Sequence, residues 1–114
     1  MIIKRSSMRE EVRENMRGGE GSIFITHLVE KDQMTNARLM ATVEIPPGGS
    51  IGEHKHELET EYYIILEGEG SVKEQNGTKS VGVGDVVVTG NGESHSIRNT
   101  GSRPLTMAAI IIND

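Results

Sequence analysis

Gly48-Gly49-Ser50-Ile51-Gly52-Glu53-His54-Lys55-His56-Glu57-Leu58-Glu59-Thr60-Glu61-Tyr62-Tyr63-Ile64-Ile65-Leu66-Glu67-Gly68 is the stretch on which the reading of this chain turns. His54 and His56 are two apart, so on an extended strand both imidazoles leave the same face. Glu61 follows five residues later, ahead of the apolar run Tyr62 to Leu66 that Gly68 closes. Imidazole and carboxylate are ligand types that divalent transition metals prefer. The pattern gains weight from its setting between glycine turns and from a third histidine, His95, further along.

Outward from this stretch the punctuation is that of short strands. Upstream, Leu39, Ala41, Val43 and Ile45 alternate with Arg38, Met40, Thr42 and Glu44, and Pro46-Pro47-Gly48-Gly49 ends the strand. Ile23, Ile25 and Val29 alternate with Phe24, Thr26 and Leu28 before a polar loop from Glu30 to Asn36. His27 falls on the Ile23 face, and as a lone histidine on a strand it reads as a structural residue outside the site. Downstream, Gly68-Glu69-Gly70 is a turn, and Asn76-Gly77 between two alternating segments marks a hairpin. Gly84-Asp85, Gly90-Asn91-Gly92 and Asn99-Thr100-Gly101 separate Val86–Val88, His95–Arg98 and the long apolar run Leu105–Ile112. Such repetition predicts an antiparallel sandwich or barrel and excludes a βαβ nucleotide fold.

At the N-terminus, Ser7-Met8-Arg9-Glu10 has the form of a capping box, and Met8, Val12 and Met16 recur every four residues before Gly18-Gly19. This predicts a short helix over 8–17, within an N-terminal arm of residues 1–29 that precedes a barrel over 30–114.

Composition narrows the classes. The 114 residues suit one domain, and 34% hydrophobic content with three aromatics implies a thin core that a metal or a partner subunit would help stabilise. A net charge of −5 with dispersed basic residues argues against nucleic acid. Without cysteine there are no disulfides and no zinc–thiolate sites. No signal peptide and no membrane-spanning run is present, so the expected location is the cytoplasm.

Two spaced motifs now support a family resemblance. Gly48-x5-His54-x-His56-x4-Glu61-x6-Gly68 resembles the first cupin motif, and Gly84-x5-Gly90-x-Gly92-x2-His95-x3-Asn99 resembles the second. Gly90 stands where the family usually has proline, a turn position that binds no metal. The resemblance implies a double-stranded β-helix, or jelly-roll barrel, in which His54, His56, Glu61 and His95 hold one metal. Manganese, iron, nickel, cobalt, copper and zinc suit such ligands, whereas calcium and magnesium prefer all-oxygen shells.

Alternation from Glu61 places Tyr63 and Ile65 inward, making Tyr63 the candidate catalytic hydroxyl, and alternation from His95 places Ile97 inward. Glu57 and Glu59 read as solvent-facing loop residues. The resemblance implies an enzyme acting on a small oxygenated substrate that chelates the metal, of dioxygenase or decarboxylase type. Against oxalate chemistry, Ile51 stands where oxalate-degrading cupins usually carry arginine. The alternatives are a sugar- or uronate-directed isomerase or lyase and a non-catalytic binding protein. A homodimer is expected, because Leu105, Met107, Ala109 and Ile111 fill one face of the last strand while Ala108, Ile110 and Ile112 leave the other apolar.

Overall fold

Glycine and proline punctuation divides the chain into ten strands, and the computed structural model describes all of Met1–Asp114. They are β1 (Arg9–Glu14), β2 (Ser22–His27), β3 (Ala37–Ile45), β4 (Ser50–Lys55), β5 (Glu59–Glu67), β6 (Glu69–Glu74), β7 (Gly77–Gly82), β8 (Val86–Thr89), β9 (Ser94–Asn99) and β10 (Leu105–Asn113). A six-stranded sheet runs β1-β2-β3-β10-β5-β8 and a four-stranded sheet β4-β9-β6-β7. Every neighbouring pair is antiparallel. This is the expected jelly roll.

Alternation carries the core. In β5 Glu61, Tyr63 and Ile65 are buried while their neighbours are half-buried or exposed. In β10 Leu105, Met107, Ala109 and Ile111 are buried. Tyr63, Ile65, Leu105, Met107 and Ala109 meet Ile51, Val72 and Ile97 of the smaller sheet in one hydrophobic cluster. Its thinness is real: Tyr63 is the only aromatic in that cluster.

The N-terminal segment corrects the sequence reading. Residues 8–17 are not a helix: Arg9–Glu14 is strand β1, flanked by single 3-10 turns at Arg5–Ser7 and Met16–Gly18. A spacing of four satisfies an even strand period as well as a helical one, so Met8, Val12 and Met16 do not discriminate. What decides is the partner, since β1 finds a continuous ladder against β2 from Arg9↔His27 to Glu14↔Ser22. The supposed capping box is also spent otherwise, with Ser7 Oγ donating to the Lys4 carbonyl and Glu10 accepting from Arg5.

One irregularity positions the site. On β4, Ile51 faces Ile97 and His54 faces His95, so three steps on β4 match two on β9. That bulge turns both Ile51 and His54 inward despite their odd spacing. His56, just past the strand, is pinned by its own N–H to the Glu93 carbonyl (3.0 Å) and by Gly92 N–H to its carbonyl (2.9 Å). No helix is long and apolar enough to cross a membrane.

Candidate metal centre

His54, His56, Glu61 and His95 come together, from β4 and its end, from β5 and from β9, into one buried cluster. Glu61 Oε1 lies 2.8 Å from His56 Nε2, 2.9 Å from His95 Nε2 and 3.4 Å from His54 Nε2. His95 Nε2 lies 2.9 Å from His54 Nε2 and 3.1 Å from His56 Nε2. Adjacent donors around an ion bonded at about 2.1 Å stand about 3.0 Å apart in an octahedron and about 3.4 Å in a tetrahedron. The spacings therefore match a single coordination sphere.

The outer nitrogens say which atoms are free to ligate. His54 Nδ1 lies 2.8 Å from the Gly52 carbonyl, which can only accept, so Nδ1 carries the proton and Nε2 offers its lone pair. His56 Nδ1 donates in the same way to the Glu59 carboxylate (2.5 Å). His95 Nδ1 meets Thr89 Oγ1 at 2.7 Å, with Thr89 1% exposed. These contacts fix the rings and leave lone pairs and a carboxylate oxygen converging on one point, an arrangement suited to a cation. The donor set fits a divalent transition metal.

Electrostatics follow the same logic. Burial opposes the charge on Glu61, but the facing Nε2 atoms of His54, His56 and His95, which donate to it when they carry a proton, outweigh burial and hold the carboxyl well below its usual range. Burial likewise opposes a charged His56, yet Glu61 and Glu59 raise its pKa. Burial dominates at His95, whose pKa falls. Tyr63 stacks on the His95 ring (centroids 4.8 Å, planes 12° apart), and burial followed by the Glu61 charge raises its phenol well above the usual value. It is a neutral hydroxyl.

One residue does not sit where the sequence suggests. Glu59 is not in a solvent-facing loop: it opens β5, its side chain is 12% exposed, and it joins His56 to Arg38, whose guanidinium donates two bonds of 2.6 and 2.8 Å. The signal was its parity with Glu61. Glu57 is exposed and pairs with Lys55, as expected of a loop residue. His27 stays outside the four-donor cluster, bound to Glu11 Oε1 at 2.8 Å, yet it lines the same cavity.

That cavity, of about 90 Å3, is walled by His54, His56, Glu61 and Tyr63 together with aliphatic side chains such as Leu39 and Met107. Three arginines also border it: Arg13 and Arg17 from the N-terminal segment and Arg38 from β3.

A jelly roll closing on a three-histidine, one-glutamate cluster defines a class of protein. Residues 41–111 match the cupin domain family, well over half the chain, and the chain belongs to that family. It is 46% identical over 113 residues to a Thermotoga maritima protein named oxalate-binding protein, covering 98% of this chain and 93% of that one. It is also similar to the crystal structure of a predicted oxalate decarboxylase from Thermotoga maritima, with a TM-score of 0.94, 44% identity and full coverage of both chains. A polyketide cyclase from Streptomyces resistomycificus shares the fold, at a TM-score of 0.77 and 21% identity over 99% of this chain and 78% of that one.

Proposed function

We propose that this protein is a metal-dependent cupin that binds oxalate, or a dicarboxylate of the same size, at His54, His56, Glu61 and His95. The observation that carries the reading is the small cavity onto which three of those donors open. About 90 Å3 lies well below the roughly 300–1,000 Å3 of sites for larger ligands. Six heavy atoms suit that space, whereas a sugar or uronate ring does not, which counts against the isomerase and lyase alternatives. The oxalate-binding relative supports the same choice.

A divalent manganese, iron, nickel or zinc ion among three neutral imidazoles and one carboxylate would keep one net positive charge and act as a Lewis acid toward an oxyanion. The chain's own residues supply the rest. Gly52, Glu59 and Thr89 hold the imidazoles in orientation, and the aliphatic walls exclude bulk water. Tyr63 offers a neutral O–H at the cavity wall.

Tyr63 favours a second reading, turnover of the bound dianion. Cleaving the carbon–carbon bond releases carbon dioxide and leaves the electron pair on the carbon that becomes formate, which takes one proton. In this reading the Tyr63 hydroxyl, which lines the cavity, delivers it. Formate released without oxygen uptake marks a decarboxylase, oxygen consumption marks a dioxygenase, and saturable binding without product marks a binding protein. Oxalate titrated into metal-loaded protein tests the common premise: no binding overturns it.

A further inference from the structure

Of the three arginines bordering the cavity, two are already neutralised. Arg38 is held by Glu59 through two bonds, and Arg13 Nε lies 2.9 Å from Glu11 Oε2. Arg17 makes no ion pair, and its guanidinium has no hydrogen-bond partner within the protein. It is exposed and borders the cavity.

The backbone delivers it there at a cost. Arg17 has φ 56 and ψ 30, a left-handed conformation uncommon for a residue with a side chain, between Asn15 at φ 49 and Gly18 at φ 82. Close backbone packing against the histidine strand holds this turn in place. A Cβ on Gly52 would lie 2.0 Å from the Arg17 carbonyl oxygen, and one on Gly19 would lie 2.2 Å from that of Ser50. Glu20 N–H donates to Ser50 Oγ (2.9 Å) and Ser50 N–H to the Glu20 carbonyl (3.0 Å). The turn carrying Arg17 is thus fixed to the strand carrying His54.

We infer that Arg17 is a carboxylate-binding residue of this site, pairing with the end of the dianion that the metal cluster does not take. The inference rests on the oxalate reading and adds the source of its specificity for two carboxylates over one. A dianion exceeds the single positive charge of the loaded centre. Its remaining charge, in a small cavity with aliphatic walls, needs a partner. A guanidinium presents paired N–H donors that match a carboxylate edge, and Arg17 is the unspent one.

The test uses the full chain loaded with manganese, titrated calorimetrically with oxalate and, separately, with formate. Arg17→Asn suits the purpose because asparagine tolerates the left-handed backbone. Losing a charge-assisted pair should weaken oxalate binding by about 10- to 100-fold and formate binding far less, with manganese affinity and melting temperature unchanged. Arg17→Lys, which keeps the charge without the fork, should fall between. Oxalate binding by Arg17→Asn within about three-fold of wild type, less than one lost charge-assisted bond accounts for, overturns the inference, as does a parallel loss of manganese affinity. If wild type itself binds no oxalate, the underlying reading fails, and this inference with it.

Discussion

Glu59→Gln is a demanding perturbation, because it changes charge but not shape at a residue outside the four-donor cluster. Glu59 accepts from His56 Nδ1 and from Arg38 Nε and Nη2, and Arg38 first, then His56, hold its carboxyl down at about 2 against the opposing effect of burial. It is therefore a carboxylate whenever the protein is folded near neutral pH. Glutamine keeps one acceptor oxygen for His56 but faces Arg38 with an NH2 group or the reverse, and the bond to the imidazole becomes neutral. A charge-assisted hydrogen bond contributes about 1.5–3 kcal/mol and a neutral one about 0.5–1.5. The difference of roughly 1.4 kcal/mol corresponds to a factor of about ten in metal affinity, at the lower end of the 10–100-fold range for partners of metal-bound histidines. The assay is competition for manganese or zinc against a chromophoric chelator, with Glu57→Gln as control because Glu57 contacts only Lys55. A Glu59→Gln protein that is folded and binds metal within about two-fold of wild type would refute the claim that Glu59 tunes His56.

Other expectations follow from the same geometry. His56→Ala or His95→Ala should sharply lower metal content by elemental analysis after dialysis, whereas His27→Ala, bound to Glu11 outside the cluster, should leave about one ion per chain. Glu11 is lowered to about 2 by Arg13 first and then His27, so its stabilising effect is present above its unfolded value of 4.5 and is lost as pH falls toward 2. The melting-temperature gap between wild type and Glu11→Gln should accordingly be open near neutral pH and close across that acid window. On the outer face of the larger sheet, Met40, Ile110, Tyr62 and Val88 lie in one cross-strand row, with Thr42, Ala108, Ile64 and Val86 in the next. Val86 and Val88 are more than half exposed there, so light scattering should give twice the 12.4 kDa chain mass; a monomer at micromolar concentration would contradict a dimer through this face.

The parts legible in the sequence were those with a two-residue period and a turn at each end. Parity placed Glu61, Tyr63 and Ile65 inside together, and His95 with Ile97, because a strand leaves no other choice. The helix over 8–17 failed because its evidence was a spacing of four, compatible with both periods, while the deciding interaction was a ladder to β2 that no local pattern reveals. Val12, the middle residue of that supposed apolar stripe, is in fact 56% exposed. Glu59 was misplaced by an assumed loop that ends earlier, at the start of β5. The bulge that turns both Ile51 and His54 inward depends on pairing with β9, and nothing adjacent in sequence announces it. Arg17 was beyond reach altogether: its approach to the cavity requires the N-terminal turn to pack backbone-to-backbone on Gly52.

The central claim is that a metal held by His54, His56, Glu61 and His95 creates a site for a small dicarboxylate. Calorimetric titration of oxalate into the protein loaded with manganese, and in parallel into protein stripped by chelator, tests it most directly. The account predicts saturable binding of about one oxalate per chain in the loaded protein and none in the stripped one. Equal binding with and without metal, or no binding to the loaded protein, would contradict it.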